Sequence, residues 1–256
     1  MEIWQAIVLG AVQGFAEFLP ISSSGHLMLL QYWFGIEEAF FYSIMLHIGT
    51  LIPVIIVLWK VIWGLFKKPF NKRWYLVLAT IPAGIVGLLF SSSIDEIFSN
   101  NVWLLGITFI LTAVELMFSE IRCKKVQMLN PINNKTGLIM GLGQAIGVVP
   151  GLSRSGTTIS AGVLGKVEKN ENANFTFLMS IPIILAAVLL EGIDVVRSDA
   201  IININIPALM LGVITSAVCG YISIKFMLNI IKKANYKWFS LYLVLLAITT
   251  FLTAII

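Results

Sequence analysis

Residues Gln13–His26 read Q-G-F-A-E-F-L-P-I-S-S-S-G-H, and residues Gln144–Thr157 read Q-A-I-G-V-V-P-G-L-S-R-S-G-T. In both stretches the first serine follows the glutamine by the same interval (13 to 22, 144 to 153), and the next three residues end in Ser-Gly. Each run sets a cluster of hydroxyls beside a proline, in a chain that is otherwise strongly apolar. The first run adds Glu17 and His26, and the second adds Arg154.

The setting of these runs decides the fold class. Of 256 residues, 58% are hydrophobic and 12% are charged, whereas a soluble domain carries about 25% charged residues. Charge this sparse cannot cover a water-facing surface, and the mean hydropathy of +0.93 agrees. The apolar runs are continuous rather than alternating, which predicts spanning helices and not a barrel. The basic residues fall in short inter-helix loops and form no patch, so no nucleic-acid partner is expected. Cys123 and Cys219 show neither metal-ligand spacing nor a disulfide framework. Cys219 reads as an apolar filler, and Cys123, among basic residues, points to a reducing cytoplasmic side. Met1 is followed by Glu2 rather than a basic region, so no cleavable signal is expected.

In chain order, residues 3–19 are mostly apolar and meet Pro20, and 27–36 are apolar but shorter than the about 20 residues a span needs. This predicts a helix, a loop and a half-helix that enter and leave on one face; the plainer alternative is a single kinked span ending near residue 30. Spans are expected at 40–59, 74–92 and 102–119, joined by a basic loop (Lys60, Lys67, Lys68, Lys72, Arg73) and an acidic one at 93–101. Residues 136–149, Pro150, the second Ser-rich turn and 157–165 repeat the opening unit. A polar linker at 166–174 and spans at 175–196, 207–229 and 238–256 follow. The expectation is therefore an all-α, polytopic membrane bundle over 1–256. It comprises two halves, about 1–120 and 136–256, each a re-entrant helix pair followed by three spans. Three is odd, so the halves would be inverted, an arrangement in which broken helices meet near the midplane. With the first unit opening outward, the loops assigned to the cytoplasm hold 15 of the 17 Lys and Arg residues, leaving Arg154 and Arg197. The positive-inside rule then puts both termini outside.

The two runs carry the chemistry. An ionised side chain at membrane depth costs a few kcal/mol or more and usually faces a polar cavity; Glu17 and Arg154 have opposite signs and are expected to share one. Serines opening a short helix make an anion site from hydroxyls, backbone N–H groups and the helix dipole. Gly25 and Gly156 would let backbone approach an anion, and the planar fork of Arg154 suits phosphate oxygens. A serine can attack phosphorus if a base takes its proton, and His26 is near enough in sequence to act as acid or base. Glu17 could orient that imidazole, hold a cation or activate water; Gln13, one helical turn earlier, could ligate or hydrogen-bond. A hard divalent cation would bridge diphosphate oxygens. Plainer roles stand beside these: serines bonded to backbone, His26 as a cavity histidine, Glu17 as a structural partner of Arg154. His47, alone in an apolar span, reads as structural. Gly137, Gly141, Gly143 and Gly147 read as a close-packing face, and Glu115, Glu191 and Asp194 as boundary residues.

On these residues the chain resembles the undecaprenyl-diphosphatase, or bacitracin-resistance, family. Gln13 to Glu17 is similar to its (E/Q)-x-x-x-E motif, running into Pro20–His26, and Pro150–Gly156 to its P-G-x-S-R-S-G motif. Position 13 is Gln where many members have Glu, which leaves open whether two carboxylates are needed for the metal. The resemblance implies an integral enzyme that removes the terminal phosphate of undecaprenyl diphosphate, recycling a cell-wall lipid carrier and protecting against bacitracin. It further implies a divalent cation (Mg²⁺ or Ca²⁺) at Gln13 and Glu17, a homodimer in the bacterial cytoplasmic membrane, and a site open to the outer face. Carried onto this chain, Glu17, Ser22, Ser23, His26 and Arg154 would be catalytic, with Ser22 or Ser23 as nucleophile, Ser23 preferred. Water or His26 as nucleophile stays open. Ser24, Gly25, Ser153, Ser155, Gly156, Thr157 and Thr158 would bind substrate, and the spans would line a groove for the polyprenyl tail. The rival reading is a transporter or flippase of a polyprenyl phosphate lipid, which needs binding groups but no acid–base pair beside hydroxyls.

Overall fold

The computed structural model describes residues 1–36, 40–67, 71–197 and 205–255. Lys68 and the expected outer loop at 198–204 lie outside the described residues, as do the side chains of Lys72, Glu191, Asp194 and Arg197.

The chain opens with α1 (Ile3–Phe18), started by a reciprocal cap in which Glu2 and Gln5 bond each other's backbone N–H. It stops because Pro20 forces its predecessor out of the helical region: Leu19 is extended at φ −69°, ψ 146°. A short α2 (Ser23–Phe34) begins on the cap Ser22 and ends on Gly35, whose φ of +63° closes the helix in the left-handed conformation. The pattern recurs in α7 (Asn134–Ile146), which stops ahead of Pro150, and α8 (Arg154–Leu164), capped by Ser153. At 1.5 Å per residue the longest of these four reaches about 24 Å, short of the about 30 Å hydrocarbon core.

Between and after the two pairs run α3 (Phe40–Val57) with α4 (Trp59–Leu65), then α5 (Asn71–Asn100) and α6 (Trp103–Lys125) before α7. After α8 come α9 (Lys169–Arg197), α10 (Ile206–Lys233) and α11 (Lys237–Ile255). Among the described residues five helices are long and apolar enough to cross a membrane, or six when the α3–α4 pair, bent by 77°, is counted as one broken span. The fold is an all-α, multi-pass membrane bundle.

Helix ends are where the sequence reading is corrected. The span expected at 40–59 breaks at Leu58, and α4 turns aside with Trp59, Trp63 and Phe66 exposed on one stripe and Lys60 and Lys67 beside it. That is the composition of a membrane–water interface. The acidic loop expected at 93–101 is instead the last turns of α5, most of the linker at 166–174 belongs to α9, and the segment at 225–237 is helical to Lys233. Polar residues without a glycine or proline break extend a helix past the hydrocarbon as readily as they end it. Glu115 is corrected as well: it lies in the middle of α6, not near an end, and accepts a hydrogen bond from Ser160 of α8.

Small residues set the packing. The α1 helix lies against α10 so closely that a Cβ on Gly14 would sit 2.5 Å from the Ser216 carbonyl oxygen, and α7 lies against α5, where a Cβ on Gly141 would sit 2.5 Å from that of Ala79. The glycines at 137–147 do serve close packing, but on two sides of the helix: Gly137 and Gly141 meet α5, and Gly143 and Gly147 meet α8. Polar links reinforce the contacts: Ser223 donates to the Phe15 carbonyl at 2.8 Å and Ser216 to that of Leu46 at 2.8 Å. The Glu120 carboxylate accepts the N–H groups of Tyr236 (2.6 Å) and Lys237 (2.8 Å), tying α6 to the start of α11. Outward positions such as Leu89, Val114, Val218 and Leu245 are apolar and exposed, as a lipid-facing surface requires.

Gly14→Ala should lower the melting temperature in detergent, by the equivalent of about 1–3 kcal/mol of overpacking against fixed backbone. Gly64→Ala, where nothing lies within 4 Å of the added carbon, should be neutral or stabilising by about 0.5–1 kcal/mol. Thermal unfolding of the two variants measures the difference in sign.

Candidate active site

The two helix pairs meet at their turns. Ser155 Oγ donates to the Leu19 carbonyl at 3.0 Å, linking the second turn to the backbone of the first. Gly25 faces Gly151 so tightly that a Cβ would fall 2.8 Å from the Gly151 Cα, and Gly151 itself has φ +81° with Thr108 against it. Both turns use the same cap. Ser22 Oγ accepts the Gly25 N–H (3.3 Å) and Ser153 Oγ accepts the Gly156 N–H (3.1 Å). The N–H groups of Gly25 and Gly156, read from sequence as approach points for an anion, are therefore used within the protein, and these glycines serve capping and close packing. The first N–H groups of α2 and α8, at Ser23, Ser24, Arg154 and Ser155, have no acceptor within their own helices.

Glu17 is the hub. It is buried, and its carboxylate accepts from Ser23 Oγ at 2.8 Å, from Gln13 Nε2 at 3.0 Å and from Arg154 Nη2. His47 Nε2 lies 3.7 Å from the same carboxylate. The opposite charges of the two runs are thus brought into contact across 137 positions of sequence, as their signs predicted. Arg154 spends one terminal nitrogen on Glu17, while Nη1 is buried with no partner and stays available to an acceptor. The pocket here is lined by Glu17, Ser22–Ser24 and Ser153–Ser155 and encloses about 30 Å³, room for a water or two. A phosphate must therefore displace or share the Glu17–Arg154 contact.

The hydroxyls divide by what they already bond. Ser23 is half-buried, lines the pocket and gives its proton to Glu17. Ser22 is buried as the cap and lies 3.3 Å from Ser24 Oγ. Ser153 and Ser155, 3.1 Å apart, line the pocket. Thr157 donates back to the Ser153 carbonyl (3.0 Å) and Thr158 to that of Arg154 (2.7 Å); both sit behind the pocket wall.

His26 differs most from its sequence reading. Its Nδ1 lies 2.7 Å from the Ser22 carbonyl, which can only accept, so Nδ1 carries the proton. Its Nε2 lies 2.7 Å from the Tyr242 hydroxyl, and neither nitrogen reaches a serine hydroxyl or the pocket. Both His26 nitrogens are thus engaged by groups other than the serine hydroxyls. His47, by contrast, was read as structural and stands beside Glu17. Its Nδ1 donates to the Ser43 carbonyl at 2.7 Å. The one signal for it was a lone ionisable group inside an apolar span. Tyr242 had no local signal, since its partner is 216 positions away.

A second cavity, of about 1050 Å³, opens from Ser24 and His47 along α2, α3, α5 and α9. Its walls are mainly apolar (Leu27, Met28, Ile36, Leu88, Ile183), with Asp95 and Glu96 among the polar exceptions. For a metal the donor set is thin. Among the described residues no group of three or more His, Cys, Asp or Glu side chains is poised to hold one. The Gln13 Oε1 is nonetheless buried and unpartnered beside the Glu17 carboxylate. Two such oxygens fit a hard cation that takes its other ligands from water and phosphate.

The family model described as "Bacitracin resistance protein BacA" matches residues 6–249. Similar curated proteins carry the name undecaprenyl-diphosphatase. That of Bacteroides fragilis is 39% identical over 262 residues, covering 98% of this chain and 97% of its own. That of Moorella thermoacetica is 38% identical over 256 residues, covering 96% of each. That of Methanobrevibacter smithii is 34% identical over 276 residues, covering 100% of this chain and 99% of its own.

Glu17 and Arg154 form a buried pair, with side chains 4% and 13% exposed. Breaking such a pair from one side costs about 3–5 kcal/mol, because a charge is left alone. Glu17→Gln and Arg154→Met should each destabilise on that scale, and the double variant by clearly less than their sum. Strict additivity in the double-mutant cycle would show that the pair is not coupled.

Proposed function

The chain belongs to the bacitracin-resistance BacA family, and from that premise we propose that it is an undecaprenyl-diphosphatase. It converts the membrane-bound diphosphate to undecaprenyl phosphate and inorganic phosphate, and thereby removes the lipid that bacitracin sequesters. The observation that carries the reading is the serine–carboxylate–guanidinium chain: Ser23 Oγ to Glu17 at 2.8 Å, and Glu17 to Arg154.

In the mechanism, the terminal phosphate enters between the two turns and takes the open Nη1 of Arg154 and the first N–H groups of α2 and α8. Ser23 Oγ attacks phosphorus as its proton passes to Glu17, already within transfer distance. The bond between that phosphorus and the bridging oxygen breaks, and its electron pair leaves with the undecaprenyl phosphate, which takes the proton from Glu17. Water then attacks the phosphoserine, its proton returns through Glu17 to Ser23, and inorganic phosphate departs. Arg154 matches charge that builds on the equatorial oxygens. Gln13 and Glu17 would hold a divalent cation, which would supply further neutralisation of the diphosphate. The apolar cavity beside Ser24 is long and open enough for the proximal isoprene units of the tail.

In the membrane, the two short helix pairs serve as re-entrant units of inverted halves, with the site open to the outer face of the cytoplasmic membrane and both termini outside. The Lys and Arg distribution supports that orientation. The working unit is a homodimer, a reading supported by the family resemblance.

Purified protein in detergent should release phosphate from undecaprenyl diphosphate. Arg154→Ala and Ser23→Ala should each lower kcat by about a hundredfold or more. Turnover of Ser23→Ala within about tenfold of the parent would remove the nucleophile assignment.

Chelation should abolish turnover and Mg²⁺ should restore it. Gln13→Glu, which adds a charge to the cation's ligands, should lower the Mg²⁺ concentration for half-maximal rate by about tenfold. An unchanged requirement would take Gln13 out of the cation site.

A further inference from the structure

Ser22 adopts φ +69°, ψ 99°, outside the regions favoured by residues with a side chain. Such a conformation persists only where its surroundings over-determine it. The equivalent cap in the second turn, Ser153, is ordinary extended backbone at φ −78°, ψ 112°. Four residues after each cap a side chain bonds the cap's carbonyl: Thr157 Oγ1 to Ser153 at 3.0 Å, and His26 Nδ1 to Ser22 at 2.7 Å. A hydroxyl suffices where the cap is relaxed. An imidazole stands where it is strained, and the imidazole has a second nitrogen.

That nitrogen is engaged from the far end of the chain. The Tyr242 hydroxyl lies 2.7 Å from His26 Nε2, the two rings are parallel within 7°, and the edge of Phe109 closes another side with ring centroids 5.6 Å apart. Because the Ser22 carbonyl can only accept, Nδ1 holds the proton and Nε2 must accept from the tyrosine. The Nε2–H tautomer would lose the Ser22 bond and reverse the tyrosine's, because a hydroxyl accepts as well as donates.

We infer that Tyr242 of α11 is a positioning residue for the hydrolysis: its hydroxyl anchors the His26 ring, His26 holds the strained Ser22 carbonyl, and Ser22 thereby sets Ser23 against Glu17. Tyr242 lines neither cavity and acts through His26. The inference rests on the proposed phosphatase reading for its kinetic consequence, but the His26–Tyr242 bond is independent of it.

The test is Tyr242→Phe, which removes one oxygen from a side chain 42% exposed. The chain has two histidines, so a ¹⁵N-histidine-labelled sample gives two imidazole spin systems, and His47→Gln assigns them. In the parent, His26 should show the Nδ1–H form with Nε2 as acceptor. In Tyr242→Phe the Nδ1–H form should persist, held by the Ser22 carbonyl, while the Nε2 resonance moves to that of an acceptor nitrogen without a hydrogen bond. kcat should fall by about ten- to a hundredfold, the scale by which metal-bound histidines lose function with their orienting partners, with KM unchanged. An unaltered His26 signature, or an altered one with unchanged kcat, overturns the inference. A parent protein with no phosphate release would remove the proposed function and leave the His26 Nε2 measurement to judge the Tyr242 bond.

Discussion

Two opposite charges buried side by side in an apolar bundle are the constraint on which the rest depends. Neither Glu17 nor Arg154 is tolerable alone at its position, because an isolated ion out of water is far more costly than any single packing contact. Together, with Ser23 and Gln13 donating to the same carboxylate, they form a cluster that closes only if the two turns touch. The helix pairs must therefore be short, end near one another and approach without intervening side chains. Pro20, Pro150 and the contact of Gly25 with Gly151 meet those demands.

The pair is compensated but not saturated. Arg154 Nη1 and Gln13 Oε1 are buried without partners on either side of Glu17, one able only to donate, the other only to accept. A buried polar atom left unpaired costs about 1–3 kcal/mol, and a ligand with anionic oxygens and an accompanying cation relieves both deficits together. The small pocket is consistent with this: the resting contact occupies the volume that a phosphate would take, so binding exchanges one set of charge-assisted bonds for another.

Much of this was legible in the chain. The apolar runs gave the helices, the matched Gln-to-Ser interval gave the paired turns, and the signs of Glu17 and Arg154 gave their contact. Helix ends were less legible, because Asp95, Glu96 and Lys169 are compatible with either helix or loop once outside the hydrocarbon. Side-chain partners were least legible of all. His26 and Ser22–Ser24 are adjacent in sequence, which suggested proton exchange, yet the helix that begins at Ser23 points the imidazole back at a backbone carbonyl. His47 and Tyr242 reach the site from other helices, and nothing local to either marks the partner it meets.

The two turns also show how one motif comes to serve two tasks. Both begin as a serine cap with a return bond to its own carbonyl, a purely local arrangement that any helix N-terminus can use. In the second turn the return bond comes from Thr157, the cap is relaxed, and the residue after it is the arginine that needs only to present charge. In the first the return bond comes from His26, the cap is strained, and the residue after it is Ser23, which meets Glu17 and, as the proposed nucleophile, must also meet phosphorus. A charge can be slightly misplaced and still attract, since Coulomb energy falls slowly with distance. A nucleophile cannot, because bond formation demands the reacting atoms within a few tenths of an ångström of their line of approach. The turn that carries Ser23, the proposed nucleophile, is accordingly the one held from outside itself, by the Tyr242 hydroxyl of α11.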